Sequence, residues 1–141
     1  MKKIIFLFII LSTTSILSQF KITGYFDAKI GLTYKFSDHL QTELRVNDNL
    51  GIEFNSELIL LYAIILKENY TLNFGVGIST FPFHSKNTAF FESYFLPIQI
   101  EIRPFKNASN FGFILESAYH FSDIINSSGT RNSIGIRYIF K

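Results

Sequence analysis

The chain has 141 residues, no cysteine, and 17% charged residues against 48% hydrophobic and 17% aromatic. The lack of cysteine excludes disulfide staples, thiolate metal sites, cysteine nucleophiles and an acylated cysteine at a cleavage site. The formal charge of +2 comes from Lys2 and Lys3: with these two of the 13 basic residues set aside, the 11 left balance the 11 acidic ones. No basic stripe remains to suit nucleic acid.

Residues 1–18 read as a secretory signal peptide. Lys2 and Lys3 form a positive start, Ile4 to Leu11 is unbroken apolar, and Ser12 to Ser15 turns polar before Ser18. The apolar run is too short to span a bilayer as a helix. Residues 19–141 then read as one domain, since no Pro-rich linker, charge block or low-complexity stretch divides them.

From Phe20 to Phe36 apolar residues fill the even positions and polar ones the odd positions. That period of two predicts strands with one apolar and one polar face. It recurs over 40–47, 52–66, 70–80, 90–104, 111–121 and 132–140. Polar turn signals separate the runs at Ser37–His39, Asn47–Gly51, Lys67–Asn69 and Lys106–Asn110, with longer connections at Phe81–Thr88 and Ser122–Arg131. Leu58–Leu66 is apolar on both faces and predicts a strand buried on both sides. Seven runs make an odd number, whereas closed bacterial barrels have an even one. The first run is too long for one span of about 9–11 residues, so a break at Asp27 is expected, giving strands from Gln19 to Phe26 and onward to Phe36. The last strand, Ser133–Phe140, is expected to pair with the first.

Balanced charges mark the polar face: Lys29, Lys35, Arg45, Arg103 and Arg137 against Glu43, Glu53, Glu57, Glu101 and Glu116. A narrow lumen would hold Glu43, Arg45, Glu53, Glu57, Glu101, Arg103, Glu116 and Arg137 as paired charges, because lone buried charges are very costly. With the last hairpin closing near Asn126–Ser127, Glu116 falls opposite Arg137. Aromatic residues gather near strand ends, and Tyr34, Phe36, Tyr70, Phe81, Phe121, Tyr138 and Phe140 are expected to form girdles at two membrane interfaces.

The ending Arg131-Asn132-Ser133-Ile134-Gly135-Ile136-Arg137-Tyr138, with Phe140 before Lys141, resembles the terminal strand of outer-membrane barrels. In that family the Phe is the last residue. Together with Leu96–Phe105, it makes the chain similar to uncharacterised outer-membrane β-barrel domains of the eight-stranded OmpX/OmpA size class. The resemblance implies an antiparallel up-and-down transmembrane barrel in the cell outer membrane. Its implied partners are membrane lipid and the barrel-assembly machinery, and its implied role is a non-enzymatic envelope one: structural, adhesive or ligand-contacting.

Chemistry is sparse. No phosphate loop, metal helix or calcium loop is present. His39, His84 and His120 lie far apart, so neither a metal nor a cofactor is expected. His120-Phe121-Ser122-Asp123 resembles the His-x-Ser-Asn motif of lipid A 3-O-deacylases, which implies His120 as general base and Ser122 as nucleophile. No acid follows Asp123 to orient the His, and the alternation aims both residues inward, away from a lipid substrate. A second alternative is a secreted soluble barrel holding an apolar ligand around Ile59, Leu61, Ala63 and Ile65. Cleavage of the signal peptide has a direct readout: N-terminal sequencing of the mature protein should begin at or near Gln19, and an intact Met1 terminus would contradict export.

Overall fold

The computed structural model describes residues 19–48, 54–82, 90–105, 108–122 and 127–140. Residues 1–18, Glu53 and Asp123 lie outside these, so the signal-peptide expectation and the Glu53 assignment have no structural counterpart. Eight strands form one closed antiparallel barrel in chain order: β1 Phe20–Tyr25, β2 Lys29–Lys35, β3 Leu40–Asp48, β4 Phe54–Leu66, β5 Tyr70–Thr80, β6 Phe91–Ile102, β7 Phe111–Ser122 and β8 Ser127–Ile139. Closure runs through β1 and β8, with Lys21 opposite Ile139 and Tyr25 opposite Gly135.

The long first run divides at Asp27. The turn 26–28 is tight, and Ala28 adopts φ 62°, a left-handed conformation that an L side chain enters at a cost. Ser37 and Asp38 close the next turn: Leu40 donates its amide to Ser37 Oγ (3.1 Å), and Lys35 pairs with Asp38 (2.7 Å).

Three expectations are corrected. The connection expected over Ser122–Arg131 is mostly strand, because β8 begins at Ser127 and pairs Gly129 with His120. That longer hairpin resets the register: Glu116 faces Ser133, and Arg137 faces Gly112. Finally, the run expected to reach residue 104 ends as a strand at Ile102, so the connection to β7 spans 103–110 rather than a short turn. Pro104 has no N–H to extend the ladder.

Apolar side chains face out and polar ones face in. Ile30, Val76, Ile98 and Ile134 are 60%, 52%, 50% and 51% exposed, while Glu43, Arg45, Gln99, Glu101 and Arg137 are fully buried. Part of the interior is apolar: Ile59, Leu61, Phe95 and Ala118 form a packed cluster. Two glycines make room for large inward side chains. A Cβ on Gly77 would lie 2.4 Å from the Phe95 ring, and one on Gly31 would lie 2.6 Å from Glu43 Oε1. Ile65 departs from the apolar set expected around Ile59: a bulge between Ala63 and Ile65 shifts the register and leaves Ile65 exposed.

Three substitutions probe this geometry by urea unfolding. Gly77→Val should cost about 1–3 kcal/mol by overpacking against Phe95, and Phe95→Leu should recover part of it. Ala28→Gly should stabilise by about 0.5–1 kcal/mol by releasing the left-handed strain.

Candidate functional site

Strand alternation delivers inward side chains from all eight strands to one interior lattice. At its centre Glu43 of β3 accepts from Tyr25 Oη (2.6 Å), Arg45 Nε (2.8 Å) and Arg137 Nη2 (2.7 Å). Arg137 donates further to Thr23 Oγ1 (2.7 Å), Glu101 (2.9 Å) and Gln99 (3.3 Å). Arg45 grips Glu116 with both terminal nitrogens and lies over the Tyr25 ring, 4.5 Å from its centroid. This two-pronged hold suits the planar guanidinium. Gln99 joins the two arginine systems by donating to Glu116 (3.2 Å).

We call the end holding Phe20 and Ile139 proximal, and the end holding the 26–28 turn distal. Distally, Glu57 accepts from both terminal nitrogens of Arg131 (2.6 and 3.0 Å) and lies 3.8 Å from Lys29 Nζ. Lys29 pairs with Asp27 (2.7 Å), whose carboxylate also accepts from Ser133 (3.0 Å). Burial disfavours ionised Asp27, but Lys29 and Ser133 outweigh it and hold the carboxyl below the usual carboxylate range. Asn55 and Ser79 both donate to Glu92. Proximally, Lys21 pairs with Glu101 (2.9 Å), and Arg103 donates to the Lys67 carbonyl and Thr71 Oγ1, each at 3.0 Å.

The lattice therefore brings together Glu43, Arg45, Glu57, Glu101, Glu116 and Arg137, with Arg103 at its proximal rim. Glu116 and Arg137 share the interior but do not pair. Glu116 holds Arg45, and Arg137 holds Glu43 and Glu101. Lys21, Asp27, Tyr25, Gln99 and Arg131 join the network beyond the residues expected there. Lys21 and Tyr25 carry the inward parity of β1 and were detectable by it. Arg131 was hidden by its assignment to a loop.

Among the expected girdle residues, Tyr34, Phe36, Tyr70, Tyr138 and Phe140 lie at the proximal end, and Phe81 and Phe121 at the distal end. Phe20, Tyr34 and Phe36 form one proximal ring cluster and Phe111, Tyr138 and Phe140 another, with centroids 4.9–5.2 Å apart. Distally, Phe91, Tyr94, Phe121 and Tyr119 form a chain of ring contacts. Lys67 Nζ sits 5.4 Å from the centroid of the proximal Tyr70 ring.

The His120 ring stacks on the inward Phe95, 4.6 Å between centroids, and its Nε2 has no hydrogen-bond partner among the described residues. Ser122 pairs through its backbone with Ser127. Ile59, Leu61 and Ala63 are packed against the inward wall with almost no exposed surface.

The lattice implies a sharp asymmetry between removing a buried and an exposed partner. Arg137→Met should cost about 3–5 kcal/mol, since it strands the Glu43 and Glu101 carboxylates in the interior. Asp38→Asn at the exposed turn should leave the urea midpoint unchanged.

Comparison with models of known protein families, with curated proteins and with solved structures finds no match to this chain.

Proposed function

We propose that the chain is an integral outer-membrane barrel with a non-enzymatic envelope role: structural, adhesive or ligand-contacting. The inverted amphipathy between two aromatic belts carries this reading. On β7 the outer face runs from Phe111 to Phe121, with Phe113, Leu115 and Tyr119 between. At about 3.4 Å per residue and a tilt of about 40°, that stretch rises about 26 Å, close to the roughly 25 Å apolar band of outer-membrane barrels. Both ends of the span carry ring clusters. An outer surface this apolar would drive a water-soluble protein to associate, while charges held inward and paired suit a wall bathed in lipid. Residues 1–18 direct export, membrane lipid is the partner of the outer face, and the outward Ile136 and Tyr138 of β8, with Phe140 just past its end, are offered to the barrel-assembly machinery.

A soluble ligand-binding barrel would need an open apolar interior. The inward apolar residues here are packed against one another, and the remainder of the lumen is ionic, which supports the membrane reading over the soluble one. Fractionation decides between them. The protein should stay with the outer membrane until detergent is added, and its unheated folded form should migrate differently from the boiled form on a gel. Recovery in the soluble fraction without detergent would overturn the membrane assignment.

A further inference from the structure

The proximal mouth of the lumen holds a cavity of about 130 Å³. Its rim is formed by Lys35 and Asp38, whose side chains reach solvent, and its floor by Asn73, Thr71 and Glu101, which do not. The volume exceeds the space of several waters. Two features of the lining are unusual.

The first is Asn73. It is wholly buried, yet neither its carboxamide nitrogen nor its carboxamide oxygen has a hydrogen-bond partner among the described residues. Buried amides are nearly always paired, and leaving both atoms of one unmade is costly.

The second is a local surplus of positive charge. Three cations converge on the single Glu101 carboxylate: Lys21 at 2.9 Å, Arg137 at 2.9 Å and Arg103 Nε at 3.6 Å. Glu43 takes part of Arg137. Among the described residues no second carboxylate pairs with Arg103; its Nη2 donates to the Lys67 carbonyl and Thr71 Oγ1, while its Nε is buried without a hydrogen bond. The Lys35–Asp38 pair at the rim is neutral as a unit and exposed, so it can open without a large desolvation cost.

We propose that this vestibule binds a small oxyanion, a carboxylate or phosphate group, between Arg103, Lys21 and the amide of Asn73. Water could satisfy Asn73 but would leave the charge surplus in place. A cation would meet Lys21 and Arg103. An oxyanion answers the charge surplus and the donor half of Asn73, accepting from the Arg103 Nε–H and the Asn73 NH₂ while offsetting the third cation on Glu101, and leaves the Asn73 oxygen to a water or to the O–H of a protonated phosphate. The site belongs to the lumen and rests on the barrel alone, so it stands or falls separately from the membrane assignment.

The test uses the full mature chain, ¹⁵N-labelled and folded in zwitterionic micelles. Inorganic phosphate and acetate are titrated separately at constant ionic strength against chloride. The Asn73 side-chain NH₂ and the Arg103 Nε–H signals should shift saturably with both anions. Arg103→Gln, at the rim, should weaken binding at least tenfold while leaving the backbone fingerprint in place. Nanodiscs containing an anionic phospholipid, without added phosphate, identify the source. Shifts already present there assign the phosphate to a lipid headgroup, and shifts absent until phosphate is added assign it to a free anion. Shifts confined to rim residues, the lack of a saturable change at Asn73, or wild-type affinity in Arg103→Gln would overturn the proposal.

Discussion

The Glu43 carboxylate is the fixed point of this molecule. It is fully buried and holds Arg45, Arg137 and Tyr25 at once. Moving an ion from water to a protein interior costs several kcal/mol even after relaxation, and only close pairing with full hydrogen bonding returns it. A barrel whose outer wall is apolar can place charge only at its mouths or in its lumen. The lumen of eight strands is just wide enough for side chains to fill. Each interior ion therefore has to find partners on strands across the barrel, and the lattice becomes a set of cross-braces.

The braces do not involve all strands equally. The inner face of β5 reads Thr71, Asn73, Gly75, Gly77 and Ser79, with no charge. Its small residues make space for the apolar wall of Ile59 and Leu61 from β4 and Phe95 from β6. Pro97 sits in β6 on this same side, and pairing with β5 lapses at Gly75 and Val76, where proline offers no N–H, with the same register on either side of the gap. The interior thus divides into an ionic part, braced by directional bonds, and an apolar part, filled by shape. Asn73 lies on the uncharged strand yet beside the charged mouth, and among the described residues no side chain completes it.

Much of this architecture was legible because alternation reports parity directly. Odd positions of β1 and β2 point inward, as do odd positions of β3, β4, β5 and β6, and even positions of β7. The first two strands read as one run for a simple reason: the turn 26–28 has three residues, so odd inward positions in β1 continue as odd inward positions in β2. The length of the run and the need for an even number of strands betrayed the break at Asp27. The bulge at Ala63/Ile65 was not legible, because Ile64, Ile65 and Leu66 are all apolar and give parity nothing to contrast. Residues 127–131 were misread because their Ser, Gly and Thr composition resembles a loop, while their place in a strand comes from pairing with 118–122.

The misplaced Glu116 shows what alternation cannot supply. It was expected opposite Arg137 and stands opposite Ser133, four residues away. A slip by an odd number turns an apolar face inward and is penalised at once, for Glu43 and Arg45 would enter the outer wall. A slip by two or four keeps every face correct, so hydrophobic pattern is silent about it. Something else has to reject those registers, and the interior does so in two ways. An even slip of β8 carries Arg137 away from Glu43 and Glu101 and leaves buried carboxylates without a cation. An even slip of β5 against β4 and β6 moves Gly77 from beneath Phe95: one direction puts Ser79 there, and the other carries the Asn73 side chain to the place of Gly75, where a Cβ would lie 2.8 Å from the Leu61 side chain. Replacing buried ion pairs by apolar residues is often neutral or stabilising for an already folded protein. The worth of the lattice here lies in the comparison between registers: the apolar outer wall tolerates every even slip, and the charges tolerate one.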